Sequence, residues 1–344
     1  MRIILVGYGV VGQSLTKLFV DRLTELINNY GFHPRVVAIV DRGGAAVNPK
    51  GLDLERMLLV KRRKGTVAAD SKFGRPKMSA IEVLESMEAE AVVEVSPTNV
   101  KDGEPALSHI RTAFKSGKHV VTANKGPLAL ALPVLIELAE YNKVYFRFSA
   151  SVGAGTPILE FAKRCLFGDR ILSVRGILNG TTNFILTEMT EKHVEFDQAL
   201  KMAQELGYAE ADPSMDVDGI DAACKLVVLA NWVMGRRVTL KDVSITGIRG
   251  ITIKEIEEAA KEGYVIKLLG TVSPDGLQVK PTRILKNDPL NVSGTLNAVT
   301  FVSEFAGEQT IIGRGAGGTE TASAILRDLL DIKQKLAARM LFEV

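Results

Sequence analysis

Short apolar segments alternate with helical patterns over residues 1–150, and a stretch of different texture follows at 151–318. Together they predict an α/β protein: an N-terminal doubly wound parallel sheet, then an α+β domain with a mixed sheet. RIILVGYG, VVAIVD, AVVEVS, HVVTAN and KVYFRFS are β-branched and nearly all apolar, as strands covered on both faces are. Helical patterns at residues 11–29, 79–88, 105–116 and 127–141 lie between them, the rhythm of crossover connections. The chain of 344 residues, 46% hydrophobic and 24% charged, has material for two cores, which excludes a disordered or collagen-like protein.

The first strand runs into Gly7-Tyr8-Gly9-Val10-Val11-Gly12, a GxGxxG turn that opens the first helix. Gly7 permits the tight turn, Gly9 lets a pyrophosphate reach the backbone, and Gly12 lets helix and strand pack closely. Phosphates would then rest on the amides of Val10 and Val11 at the positive end of the helix. This predicts a Rossmann-type domain that binds NAD or NADP. The second strand ends at Asp41, which could accept ribose hydroxyls of NAD, while the adjacent Arg42 could pair with the 2′-phosphate of NADP. The run Lys61-Arg62-Arg63-Lys64 reads as a solvated face or as an addition to that pull, and the balance leans to NADP. Ser96 and Lys125 each close a strand at the carboxyl edge, where open α/β sheets bind ligands. Both also fit ordinary turn and surface positions.

In the second region TPILEFAKRCLF, residues 196–206 and residues 219–234 read as helices. SVRGILNG reads as a strand, and VIKLLGTVS, LQVKPTRIL and NAVTFVSEF alternate as strands of a mixed sheet. A glycine-rich turn around Gly315 precedes a last helix at 319–344, expected to pack back on the first domain and bring Gly315 to the cofactor phosphates. The segment 203–225 is the richest in chemistry, with Glu210, Asp216, Asp221 and then Lys225. LVVLANWVM follows, apolar on every side but Asn231, so its helix must be buried all round. Asp221 and Lys225 are i,i+4 neighbours at its start. A lysine there loses hydration and becomes a better proton donor, oriented by the aspartate. Two plainer readings stand beside this one: Asp218 as N-cap with Asp221 completing a capping arrangement, or an exposed surface pair. The polar turn at 179–183, with Thr181, suits hydrogen bonds to a carboxylate or amine.

Composition narrows the partners. Net charge is +3, which gives no reason to expect nucleic acid or a membrane surface. No uncharged apolar run approaches the roughly 20 residues that span a bilayer. Two cysteines, Cys165 and Cys224, make no disulfide framework, and the start of the chain has no signal-peptide pattern, so a cytoplasmic protein is expected. No His or Cys spacing suggests a zinc site.

Ala203, Gly207, Tyr208, Asp212, Pro213, Asp216, Gly219, Asp221 and Lys225 fall at the spacing AxxxGYAxxDPxxDVxGxDxxxK, which resembles the homoserine dehydrogenase signature. VVTANKGPLA, SVGAGTP, RGILNGTTNFIL and GRGAGGTETA resemble further segments of that family, in its order. The resemblance implies interconversion of aspartate 4-semialdehyde and homoserine with NAD(P), on the route to threonine, methionine and isoleucine. It implies Lys225 as proton donor, Lys125 as a second lysine near substrate and nicotinamide, and Asp221 as the group positioning Lys225 or the substrate amine. Glu210, with Asp216 and Thr181 as further substrate contacts, would bind the substrate amine, and Ser96 would meet the nicotinamide. Val152, Ala154 and Thr156 resemble positions whose carbonyls hold a sodium ion, although Ser149 stands where some members have glutamate. A homodimer through the second domain is implied, and the chain is expected to lack the ACT and aspartate kinase domains some members carry. The rival readings are another NAD(P)-dependent dehydrogenase of a small amino or oxo acid and a non-catalytic NAD(P) sensor.

Overall fold

The computed structural model describes residues 1–342, which pack as two units: Met1–Ser151 with the chain from Gly317 onward, and Val152–Ala316. The first unit holds β1 (Arg2–Val6), α1 (Val10–Asp21), α2 (Leu23–Tyr30), β2 (Arg35–Asp41), β3 (Gly44–Val47), α3 (Leu54–Lys64) and β4 (Gly74–Pro76). It continues with α4 (Ala80–Ser86), β5 (Ala91–Glu94), α5 (Ala106–Lys115), β6 (His119–Thr122), α6 (Lys125–Tyr141) and β7 (Phe146–Arg147). The sheet order is β4-β3-β2-β1-β5-β6-β7, parallel from β2 to β7 and antiparallel at the β3 and β4 edge. Ile3 of β1 pairs with Val36 on one side and Ala91 on the other, so the order reverses at β1. The carboxyl ends of β1 and β5 are therefore the switch point of a Rossmann-type sheet, where such folds bind ligands.

Ile3, Ile4 and Leu5 are fully buried, which is why the strand reads as an unbroken apolar run. α1 turns Leu15 and Phe19 onto it at helical spacing. The single helix expected over 11–29 is two, broken at Arg22, which leaves helical geometry and pairs with Glu25. Three elements escape the sequence pattern: β3 and β4 are too short for periodicity, and α3 is dominated by charge. Asp53 caps α3 by accepting from the Arg56 amide, and the basic run occupies its last turn, where free carbonyls favour cations. The C-terminal helix (Gly318–Phe342) shares this core through Ala322, Ile325 and Leu329, and its Asp328 accepts from the Ser149 amide and hydroxyl.

The second unit holds α7 (Ile158–Glu160), β8 (Ile171–Ile177), α8 (Gly180–Lys192), α9 (Phe196–Glu205), α10 (Ser214–Val217) and α11 (Ile220–Met234). After these come β9 (Val243–Ile245), α12 (Ile253–Lys261), β10 (Tyr264–Ser273), β11 (Gly276–Leu285), β12 (Leu296–Ser303) and β13 (Gly307–Arg314). Its mixed sheet runs β13-β12-β8-β10-β11-β9, antiparallel except where β9 lies parallel to β11. The helix expected from TPILEFAKRCLF is one α turn followed by a π turn at Phe161–Cys165. Every residue from 221 to 231 in α11 is buried, as its all-round apolar sequence requires. No helix among the described residues is long and apolar enough to cross a membrane.

Lys267 of β10 is 4% exposed, and its ammonium donates to Asn183 Oδ1 (3.0 Å) and the Val292 carbonyl (2.8 Å). Burial, only partly offset by Glu191, lowers its pKa from 10.5 to about 8. The unfolded chain therefore holds this proton more tightly, and folding gains stability as pH rises from about 8 to about 10.5. Relative to Lys267→Met, the wild type should gain about 3 kcal/mol of unfolding free energy over that window. Denaturant unfolding of both proteins at the two ends checks this, and a pH-independent difference would contradict it.

Candidate active site

The start of α1 is built for a close approach. Gly7 has φ +103°, and a Cβ there would lie 2.5 Å from the Val95 carbonyl oxygen. At Gly12 a Cβ would fall 2.4 Å from Gly7 O, whereas one at Gly9 would meet nothing within 4 Å. Gly9 caps the helix with no side-chain hydrogen bond, the first turn has no acidic residue, and Val10 is 72% exposed. With no side-chain cap and no acidic residue in its first turn, the positive end of α1 at Val10 and Val11 fits a dinucleotide pyrophosphate.

Asp41 lies differently from an open ribose acceptor. Its carboxylate takes Lys61 Nζ (2.7 Å), Thr66 Oγ1 (2.6 Å) and the amides of Gly43 (2.9 Å) and Val67 (3.1 Å). Burial pushes this carboxyl up, but those four donors outweigh it and hold its pKa below the ordinary value. Asp41 thereby brings Lys61 to the end of β2, next to the exposed Arg42. Further along the carboxyl edge, Lys125 opens α6 behind its cap Asn124. The Asn124 side-chain amide donates to the carbonyls of Ser96 (3.0 Å) and Pro97 (3.3 Å), so the structure brings Ser96 and Lys125 to one place.

In the second unit Lys225 and Asp221 are 7% and 9% exposed, and Lys225 Nζ lies 2.7 Å from Asp221 Oδ2. The same ammonium donates to the Leu178 carbonyl at 2.6 Å, at the end of β8. Both plainer readings fail here. The pair is not on the surface, and the cap of α11 is Gly219 at φ +84° with no side-chain bond, while Asp218 pairs with Arg249. Asn179 is the residue the sequence reading undervalued. Its Oδ1 caps α8 by accepting from the Thr182 amide (2.9 Å), and its Nδ2 donates to Asp216 Oδ1 (2.6 Å) and Asp221 Oδ2 (2.9 Å). The signal was present in Asn-Gly-Thr-Thr, an N-cap residue three positions before Thr182. Burial first, and the Asp221 charge second, push the Asp216 carboxyl above its ordinary pKa. Thr181 donates to the Tyr208 carbonyl at 2.8 Å. Glu210 is exposed on the loop after α9, outside this network.

The turn carrying Val152, Ala154 and Thr156 abuts the glycine-rich turn, since Thr156 Oγ1 donates to Arg314 O at 3.1 Å. Ala154 adopts φ +43°, and the Thr156 carbonyl accepts from the Ile158 amide. Gly315 lies against the Asn297 amide, where a Cβ would fall 2.2 Å away. Among the described residues no three His, Cys, Asp or Glu side chains gather to hold a metal.

A dinucleotide-binding sheet and a separate unit carrying a buried lysine held by a carboxylate define a class, the NAD(P)-linked oxidoreductases. Residues 7–149 match the NAD-binding domain model of homoserine dehydrogenase, and residues 157–330 match the homoserine dehydrogenase model. The homoserine dehydrogenase of Methanocaldococcus jannaschii is 48% identical over 332 residues, 96% of this chain and 98% of that protein. The NAD(+)-dependent homoserine dehydrogenase of Pseudomonas canavaninivorans is 41% identical over 340 residues, 97% and 96% of the two chains. Among solved structures, a Thiobacillus denitrificans homoserine dehydrogenase superposes with TM-score 0.85 at 33% identity, covering 98% of this chain and 74% of that one. A hyperthermophilic archaeal homoserine dehydrogenase in complex with NADPH gives TM-score 0.85 at 29% identity, covering 97% and 98%. The chain belongs to the homoserine dehydrogenase family.

Asn179→Ala removes a helix cap and leaves two neighbouring carboxylates without their shared donor. It should lower unfolding free energy by at least about 2 kcal/mol, the sum of a lost cap and an unmet buried hydrogen bond. Denaturant titration measures it, and a loss under about 0.5 kcal/mol, the scale of a neutral surface change, would contradict the assignment.

Proposed function

We propose that this chain interconverts L-aspartate 4-semialdehyde and L-homoserine, a step toward threonine, methionine and isoleucine, with NADP preferred over NAD. The observation that carries the reading is the buried Asp221/Lys225 pair. Of the three Lys225 protons, one lies on Asp221 and one on the Leu178 carbonyl, which leaves the third for a substrate oxygen. When bound, the nicotinamide supplies the hydride to the aldehyde carbon. Lys225 then gives its third proton to the oxygen on which negative charge develops, and in the reverse direction the neutral amine takes it back. Asp221 and Leu178 O fix the ammonium so that this proton has one direction to go. Lys125 is assigned the second positive charge near the reacting oxygen, and Ser96 the nicotinamide edge.

Thr181, whose hydroxyl reaches the Tyr208 carbonyl at 2.8 Å and also bonds Asp216, is assigned a substrate contact beside that carboxylate. Asp216 and Glu210 are assigned the substrate ammonium, which fixes the distance of the aldehyde from Lys225. The carbonyls of Val152, Ala154 and Thr156 are assigned a sodium ion. The turn from Gly7 to Gly12 is assigned the pyrophosphate, and Gly315 a cofactor contact.

The coenzyme choice follows from Asp41. With four donors already on its carboxylate, it is a poor partner for two ribose hydroxyls, and it holds Lys61 beside Arg42. Two cations at the end of β2 suit a 2′-phosphate. Two cysteines in no disulfide, one buried and one exposed, fit a reducing cytoplasm, and we assign a homodimer through the second unit.

Purified protein with L-homoserine should reduce NADP faster than NAD, read at 340 nm. Arg42→Ala should lower kcat/KM for NADP at least about tenfold and leave NAD within about threefold, the loss of one charge-assisted phosphate contact. Tight cofactor binding with no homoserine-dependent turnover would contradict the activity, and faster reduction of NAD would contradict the preference.

A further inference from the structure

Glu94 ends β5 at the carboxyl edge of the first sheet and is 0% exposed, a charged group the proposed chemistry does not use. A carboxylate buried so completely is retained only where it is well partnered. Its Oε1 accepts from the Ser96 amide (3.1 Å) and the Ser96 hydroxyl, and lies 3.5 Å from His109 Nδ1. The Thr122 hydroxyl sits 2.9 Å from Glu94 O and 3.3 Å from Oε2, and accepts from the Asn124 amide at 3.0 Å. Asn124 returns to the carbonyls of Ser96 and Pro97 and, through Oδ1, takes the Gly126 amide at 3.1 Å. The bonds close a ring: Glu94 to Ser96, Ser96 to Asn124, Asn124 to Thr122, and Thr122 to Glu94.

We infer that Glu94 is a positioning residue for the nicotinamide end of the site, acting through Ser96 and through the Asn124 cap that sets the start of the Lys125 helix. The inference rests on the roles proposed above for Ser96 and Lys125. Two consequences follow from the ring. The Ser96 proton is fixed on Glu94, so the Ser96 oxygen is left as an acceptor only. The Asn124 cap cannot shift without moving the 96–97 turn, so the two segments hold one register.

Glutamine at this position can keep every link. Its oxygen takes both Ser96 donors, and its NH₂ meets a Thr122 oxygen that has a spare lone pair. Aspartate keeps the charge but is one methylene short of Ser96. Positioning by reach therefore predicts that Glu94→Gln works and Glu94→Asp does not, whereas a role for the negative charge predicts the reverse.

The test measures the NADPH Kd by fluorescence titration, the Tm, and kcat and KM for homoserine in both variants. Glu94→Asp should raise the NADPH Kd at least about fivefold and lower kcat at least about tenfold, with homoserine KM within about threefold. Glu94→Gln should stay within about threefold of wild type on every parameter. Wild-type behaviour in the Asp variant, or an equal defect in the Gln variant, would overturn the inference. So would a fall in Tm with Kd and kcat unchanged. If the Asp variant does not fold, Thr122→Val, which removes the hydroxyl between Glu94 and the Asn124 amide, should raise Kd at least about threefold, and an unchanged Kd would overturn it. The Kd arm needs no substrate, so a wild type that binds NADPH without homoserine turnover would remove the activity reading and still leave Glu94 to be judged.

Discussion

Lys225 and Asp221 form an ion pair less than a tenth exposed, and much of the second unit is arranged around keeping it there. Taking two charges out of water costs several kcal/mol per ion, repaid only where geometry is close and the remaining donors and acceptors are met. Here the ammonium has a carboxylate at 2.7 Å and a carbonyl at 2.6 Å, and the carboxylate has the Asn179 amide at 2.9 Å. Those partners come from three elements: the end of β8, the cap of α8 and the first turns of α11. α11 must then be apolar along its length, because the charges occupy its first turns and the rest packs into the core. Asn179 joins the same pair to Asp216, whose carboxyl is pushed above its ordinary pKa by burial first and by the Asp221 charge second.

The first unit solves a related problem at the carboxyl edge of its sheet. Turns there must stay rigid while leaving backbone groups for a ligand. At α1 the means is glycine, with Gly7 and Gly12 packed against backbone and Gly9 open. At the end of β2 it is Asp41, whose carboxylate holds the turn by accepting from Lys61 and Thr66. Between β5 and β6 the tie is the ring through Glu94. Two buried or half-buried carboxylates thus brace the turns of this edge.

Much of this was legible in the sequence, and the reasons differ from residue to residue. The glycine turn reads directly because its chemistry is local: six consecutive residues set both the backbone path and the open face. The i,i+4 spacing of Asp221 and Lys225 was also local, but their burial depended on the packing of the helix that follows, so spacing alone did not separate a site from a surface pair. Asp218 looked like a cap because its residue type is right, yet Gly219 takes the left-handed conformation and the cap position itself. The sequence left Asp41 and Arg42 open as ribose-end alternatives because the partners of Asp41 are remote, with Lys61, Thr66 and Val67 lying 20, 25 and 26 residues further on. Glu94 carried no signal, since its ring joins strands that meet only in the folded sheet.

The most direct test of the account removes the ammonium and leaves the rest of the site in place. Lys225→Ala should lower kcat for homoserine oxidation at least about a hundredfold, the usual scale for a positioned general acid or base. Its affinity for NADPH should stay within about threefold of wild type, because the residue is assigned no cofactor contact. A near-normal kcat in a folded Lys225→Ala protein would contradict the central claim that this buried lysine moves the proton.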